Sequence, residues 1–505
     1  MIRRSVEVAI VGAGFAGLAA AMTLRDAGHE IAVFERAGRI GGTWRDNTYP
    51  GVACDVPSHL YGFARHPEPE WSAEFAPGAE IQAYLERVVE REGLGPAITL
   101  DAPLVDADWD ADASAWRLRF GGADPAEVEA EVLVLACGRL SEPRVPTVTG
   151  LASFTGPIFH TARWDHSIDL AGRRVAVVGS GASAIQVAPE LARRAATVTL
   201  FQRSPAWIMP RGGRPFTVEE RARFAQHPEE LAALRARLDA EGEARFPSRS
   251  GGPDAAAAEA QARAHLQAQV ADPQLRDQLT PDYAFGCKRV LLSDAFYPAV
   301  ASGRVALEAS ALAAVDGDDL VAASGARYQG VDAIVLATGF QTTRQPYAGF
   351  VRGEDGVSLE QHWSGGMTSF ASTVVAGFPN LLVLNGPNAS LGHTSSVLML
   401  EAQADYAAQI LAQRPAGGVL RVRPEAEHEY TRRVDDRAAR TPWLTGGCRS
   451  WYVDDRSRRL TLVWPGTVAD YRAVIAAADG SEFESAAVRG SDERPALSAE
   501  GRRGA

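Results

Sequence analysis

Two glycine-rich turns, each set between an apolar strand and an alanine-rich helix, constrain this chain more than any other feature. Val6 to Val11 reads as a short buried strand, and Gly12-Ala13-Gly14-Phe15-Ala16-Gly17 follows at once. A helix from Leu18 to Ala27 and a second strand from Ile31 to Phe34 complete a βαβ unit. In such a unit Gly12 makes the tight turn, Gly14 lets the backbone approach a pyrophosphate at the helix N-terminus, and Gly17 permits close packing of helix on strand. Glu35 lies 21 residues past Gly14, at the end of the second strand, where a carboxylate accepts hydrogen bonds from ribose hydroxyls.

The pattern recurs at Arg174 to Val178, followed by Gly179-Ser180-Gly181-Ala182-Ser183-Ala184, a helix to about Ala195 and a strand from Thr197 to Phe201. Ala184 takes the place of the third glycine, which packing allows. The residue 21 positions past Gly181 is Gln202, with Arg203 and Ser204 next. A carboxylate there would repel a ribose 2′-phosphate, whereas an amide beside a guanidinium accepts one, because arginine matches phosphate oxygens and stays charged. The first unit therefore suits an adenosine with a free 2′-hydroxyl and the second NADPH over NADH, and FAD in the first with NADPH in the second is the economical assignment. Two dinucleotides on one chain imply electron transfer between them.

With 505 residues the chain has room for two or three domains. Its net charge of −12 and lack of a basic run argue against nucleic-acid binding. Of 51 basic residues only Lys288 is lysine, which by itself reads as codon bias. Cys54, Cys137, Cys287 and Cys448 show no C-x-x-C spacing, so no metal site and no redox dithiol is expected, and all four read as reduced thiols. Arg3-Arg4 and the apolar residues after it resemble a secretory signal, but Glu7 and the glycines interrupt the run. No stretch supplies about 18 uninterrupted apolar residues, so a cytoplasmic protein without a membrane span is expected. The Ser180 context is a phosphate loop and not a hydrolase nucleophile elbow.

Strand-like runs at Val132 to Ala136 and Ala333 to Ala337 bracket the second unit. The expected fold is α/β, with two Rossmann-like dinucleotide-binding domains, the NADPH domain inserted in the FAD domain. The parts would be residues 1–146 (FAD, first part), 147–335 (NADPH), 336–487 (FAD, second part) and a disordered tail over 488–505. Thr217-Val218-Glu219-Glu220 has the capping-box pattern and opens a helical insert over about 217–279, broken near Pro247 to Pro253. Its charges are most simply a solvated face, although such an insert could also cover a substrate pocket.

The stretch Gly42-Thr43-Trp44-Arg45-Asp46-Asn47-Thr48-Tyr49-Pro50-Gly51-Val52-Ala53-Cys54-Asp55 resembles class B flavoprotein monooxygenases. Phe154-Thr155-Gly156-Pro157-Ile158-Phe159-His160-Thr161-Ala162-Arg163-Trp164-Asp165 is similar to the F-x-G-x-x-x-H-x-x-x-W-D fingerprint of the Baeyer–Villiger monooxygenases, with Phe154, Gly156, His160, Trp164 and Asp165 in register. The resemblance implies that NADPH reduces FAD, that oxygen adds to the reduced flavin as a C4a-peroxide, and that this peroxide converts a ketone to an ester or lactone. It implies Arg289, after Lys288, as the catalytic cation and Asp55 as the carboxylate that orients it near the flavin. An arginine suits the task because its guanidinium does not act as an acid toward the peroxide. Lys288 would join Arg203 and Ser204 on the ribose phosphate. Thr43, Trp44 and Tyr61 would line the FAD site, and Trp451 would contact NADP or substrate, its alternative being a plain core residue. His160, Trp164 and Asp165 would form a linker that transmits domain rotation, with proton transfer by His160 as the other possibility.

Two further readings stay open at this point. A heteroatom oxygenase would use the same cofactors on nitrogen or sulfur, and an NADPH-responsive flavin-binding module would oxygenate nothing. The particular ketone and the oligomeric state are not legible.

Overall fold

A computed structural model describes residues 3–486, so the expected tail over 488–505 lies outside the described residues. Two parallel-cored sheets organise the chain, one for each glycine turn. In the first, the strand Arg3–Val11 lies between Ile31–Phe34 and Ala126–Leu135, parallel to both, with Val8 opposite Ile31 and Val11 opposite Leu135. The long strand Ala126–Leu135 divides its other edge. Its first half pairs antiparallel with Ala115–Phe120 and its second half parallel with Leu381–Val383. A segment from late in the chain thus completes the first sheet.

The second sheet has five strands, all parallel, in the order Val305–Glu308, Thr197–Phe201, Arg174–Val178, Ala333–Leu336, Ile158–His160. The fingerprint segment therefore supplies an edge strand of this sheet. The central parallel strands are covered on both faces, as such strands require, and read as continuous apolar runs: Val175, Ala176, Val177 and Val178 are all buried. The fold is thus α/β with two Rossmann-like units.

The glycine turns are local solutions to one steric problem. Gly12 has φ +107° and Gly179 φ +120°, left-handed values that an L side chain rarely adopts. Each turn also runs against the end of a neighbouring strand. A Cβ on Gly12 would sit 2.5 Å from the Ala136 carbonyl oxygen, and one on Gly179 would overlap that of Ala337. The runs Ala136-Cys137-Gly138 and Ala337-Thr338-Gly339 are thereby equivalent walls of the two turns.

The helical insert consists of Val218–Gln226, Pro228–Ala244, Phe246–Arg249, Ala255–Gln269 and Pro273–Leu279. Thr217 caps the first of these, its Oγ1 accepting from the Glu220 N–H at 3.2 Å while the Glu220 carboxylate accepts from the Thr217 N–H at 2.9 Å. The insert is not only a solvated face. Arg235 donates to the His59 carbonyl at 3.0 Å, and Glu243 accepts from the Val468 N–H at 3.1 Å, so it lies across the first unit.

The expectation of four reduced thiols fails at two positions. Cys287 and Cys448, 161 residues apart, form a disulfide. Spacing along the chain carried no sign of it, because the pairing depends on two loops meeting: the Ala284 N–H donates to the Gly446 carbonyl at 2.9 Å. Cys54 and Cys137 are free thiols. Burial pushes Cys137 up to about 12 and Cys54 higher still, so neither is a thiolate at neutral pH.

Candidate functional site

The first glycine turn opens onto a cavity of about 390 Å³. Gly12, Gly14, Glu35, Thr43, Trp44, Tyr61 and Trp451 all border it, while Gly17 is buried behind the turn, where a Cβ would overlap the Gly12 carbonyl oxygen. Trp44 and Tyr61 stand edge to face with centroids 5.5 Å apart, and the indole N–H donates to the phenol oxygen at 3.2 Å. Glu35 is buried and accepts from the Ala13 N–H at 2.9 Å and from Arg45 Nη1 at 2.6 Å. It also accepts from the Ala37 N–H at 3.1 Å, and since a carboxylate has about four acceptor sites, capacity for a hydroxyl donor remains.

Sequence reasoning passed over Arg139, which also borders the cavity. It is buried and donates to the Leu462 carbonyl at 3.0 Å and to Asn385 Oδ1, and burial lowers its pKa to about 10. Its position directly after the Ala136-Cys137-Gly138 strand exit was the available signal. With a turn at the N-terminus of the helix Phe15–Asp26, a buried acid, an aromatic wall and a buried guanidinium, these residues fit a flavin dinucleotide.

At the second turn, the face of Gly181 is open, since an added Cβ would meet nothing within 4 Å. Ala184 is fully buried behind it. Ser180 Oγ donates to the Ser204 carbonyl at 2.7 Å and Lys288 Nζ donates to Ser204 Oγ at 2.8 Å. The ammonium lies 4.5 Å from the centroid of the Tyr283 ring. Burial, and then the charge of Arg203, lower the Lys288 pKa. Arg203 is exposed and has no carboxylate partner among the described residues. Two neighbouring cations without an anion between them fit a phosphate group. Gln202 does not share in this: it is buried, and its amide donates to the Gln278 carbonyl at 2.9 Å, in the helix Pro273–Leu279 at the end of the insert.

Between the two turns, Arg289 meets Asp55. The guanidinium donates from Nε to Oδ2 at 2.8 Å and from Nη2 to Oδ1 at 2.7 Å, the two-pronged geometry that arginine and carboxylate share. Asp55 and the Tyr452 hydroxyl beside it raise the Arg289 pKa above the ordinary arginine value, against burial. The pair remains reachable, with the side chains 29% and 27% exposed. Trp451 is 36% exposed, which excludes the core alternative, and its ring lies 4.4 Å from that of Tyr452.

The motif residues leading to Asp55 touch both units. Tyr49 donates its hydroxyl to Gln186 Oε1 at 2.8 Å, and the Gln186 amide donates to the Ala53 carbonyl at 3.0 Å. The fingerprint does the same from the other side: Arg163 lies 3.5 Å from Asp46, and His166 Nε2 lies 2.8 Å from Thr48 Oγ1. Phe154 is buried in the second unit, and Trp164 packs edge to face on Phe159 at 4.9 Å. Gly156 faces the Asp332 carbonyl so closely that a Cβ would overlap it. Asp165 holds a turn by accepting from the Ser167 N–H and hydroxyl at 2.9 and 2.6 Å. His160 is buried, its Nδ1 accepts from the Ala162 N–H at 3.1 Å, and burial lowers its pKa to about 4, so the ring is neutral at pH 7.

Residues 6–227 match the family described as pyridine nucleotide-disulphide oxidoreductase. A protein from Streptomyces coelicolor named Baeyer-Villiger monooxygenase is 44% identical, with 96% of this chain and 93% of that one covered. One of the same name from Pseudomonas aeruginosa is 39% identical over 95% of this chain and 91% of that one. Among solved structures, an oxidized steroid monooxygenase bound to NADP is 31% identical and superposes with a TM-score of 0.81, covering 95% of this chain and 99% of that one. At such similarity over nearly the full length of both relatives, the chain belongs to the Baeyer–Villiger monooxygenases.

Proposed function

We infer that this protein is an NADPH-dependent flavin monooxygenase that inserts one oxygen atom of O2 beside a ketone carbonyl, giving an ester or lactone. The observation that carries the reading is the Arg289–Asp55 pair, held at the junction of two dinucleotide-binding units. FAD would occupy the cavity at Gly12, Gly14 and Glu35, with Thr43, Trp44, Tyr61 and Arg139 around it. NADPH would bind at Gly179 and Gly181, its 2′-phosphate received by Arg203, Ser204 and Lys288. Bound flavin, reduced by NADPH, supplies the activation of oxygen.

The chain's own residues then have separable tasks. Arg289 presents a permanent positive charge where negative charge develops on the carbonyl oxygen, and fixed charges of this kind act strongly in a site closed to water. Asp55 occupies two guanidinium N–H groups and so fixes the plane in which the remaining donors point. Neither residue needs to exchange a proton, since arginine stays charged over the working pH range. Trp451, exposed at the rim of the cavity, is placed to exclude water once ligands are bound.

The division into residues 1–146, 147–335 and 336–487, and a cytoplasmic location, belong to the same reading. Among the described residues no helix is long and apolar enough to cross a membrane. The fingerprint segment suits a linker: it anchors in the second sheet through Ile158–His160 and reaches the first unit through Arg163 and His166, while His160 is buried with Nδ1 tied to the Ala162 N–H and is not an imidazolium acid at neutral pH. Product analysis over a panel of ketones and sulfides tests the function. Ester or lactone from at least one ketone, with NADPH consumed, is the expected result; sulfoxide turnover with no ester from any ketone would refute it.

A further inference from the structure

The disulfide joins two segments that each carry site residues. Cys287 directly precedes Lys288 and Arg289, in the unit of the second glycine turn. Cys448 lies three residues before Trp451 and four before Tyr452, in the segment that borders the first cavity and stands beside Arg289. Cys287 is fully buried in an apolar cluster with Trp207, Tyr283 and Phe285, whereas Cys448 is only half-buried at its edge. The Tyr283 ring in that cluster is the one over which the Lys288 ammonium rests. Displacing Cys287 therefore disturbs the seat of the lysine that bonds Ser204.

We propose that the Cys287–Cys448 bond is a redox-sensitive positioning clip that sets how well the protein uses NADPH. The proposal rests on the reading of Lys288 as a cation for the 2′-phosphate. Closed, the clip holds Lys288 and Arg289 in register with Trp451 and Tyr452. A low-molecular-weight thiol opens it in two exchanges: its thiolate attacks the sulfur of half-buried Cys448, the less buried of the two, releasing Cys287 as a thiol, and a second thiol then frees Cys448. Two thiols become one disulfide while the protein disulfide becomes two thiols, so atoms and electrons balance. A disulfide oxidant such as oxidised glutathione reverses the sequence. Opening leaves the Ala284–Gly446 hydrogen bond as a weaker tie between the segments.

Anaerobic flavin bleaching by NADPH or NADH, with the intact holoenzyme before and after dithiothreitol, tests this without knowledge of the ketone. Reduction is expected to raise the half-saturating NADPH concentration about tenfold, within the range that sub-ångström to 1 Å misplacement produces, and that for NADH about twofold or less. Cys448→Ser should reproduce the reduced values and ignore dithiothreitol, and oxidised glutathione should restore only the unsubstituted protein. A general loosening of structure would instead move both nucleotides alike, and an unchanged NADPH-to-NADH ratio would overturn the proposal. So would alkylation of four thiols, not two, in the unfolded and unreduced protein. Failure of NADPH to bleach the flavin in either state would overturn the reading of the second site and the clip with it. Failure to make esters would not touch this measurement, which precedes oxygen.

Discussion

Arg289 and Asp55, 234 residues apart in sequence, meet through two parallel hydrogen bonds of 2.8 and 2.7 Å at the junction of the two dinucleotide folds. The pair is the sharpest handle on the reaction. Arg289→Ala should leave flavin content unchanged and lower the rate of ester formation by roughly a hundredfold to a thousandfold, as removal of one preorganised charge-stabilising donor does. Asp55→Ala should cost less, roughly tenfold to a hundredfold, because the guanidinium remains but its orientation is lost. Steady-state product formation at saturating NADPH reads both, and normal ester yield from the Arg289 variant would remove it from its role.

Nucleotide choice should reside in Arg203 and Lys288. Arg203→Ala is expected to raise KM for NADPH roughly tenfold to a hundredfold while changing that for NADH little, since a charge-assisted hydrogen bond to phosphate contributes on the order of 1.5–3 kcal/mol. Lys288→Arg keeps the charge but not the compact ammonium over the Tyr283 ring, and should also weaken NADPH use. Equal effects on both nucleotides would count against the assignment.

Gly156 in the fingerprint has a packing reason to be glycine. A Cβ there would overlap the Asp332 carbonyl oxygen and lie 2.8 Å from the Phe154 ring. Gly156→Ala should therefore destabilise the edge of the second sheet by about 1–3 kcal/mol. Denaturant unfolding of the holoenzyme checks it, and an unchanged midpoint would contradict the packing account.

Acid should destabilise the fold through two histidines. Burial lowers His59 and His160 from 6.5 to about 4. The folded state then binds fewer protons than the unfolded one, so their contribution is complete above pH 6.5 and is lost as pH falls from there toward 4. Each unit of depression corresponds to about 1.4 kcal/mol. Stability measured between pH 7 and pH 4.5 should decline, and less steeply in His59→Phe, whose site lies against Phe216 and Phe224.

Features carried by short spacings were legible in the sequence. The two βαβ units with their tight turns at Gly12 and Gly179, and the capping box at Thr217, all follow from residues within about 30 positions of one another. A turn, a helix start and a strand repeat are local: φ/ψ limits and side-chain periodicity impose them before any long-range contact forms. The resemblance of the two longer motifs brought Asp55 and Arg289 forward by type, but not their meeting.

Tertiary structure alone decided the rest. It joined Asp55 to Arg289 and Cys287 to Cys448, turned Gln202 inward to Gln278, brought Arg139 into the cavity wall and left Trp451 at its rim. Each depends on which loops the two sheets bring together across more than about 70 residues, and a chain's spacing does not encode that distance in space. The sequence by itself determined two nucleotide-binding turns; the packing of one unit against the other determined what lies between them.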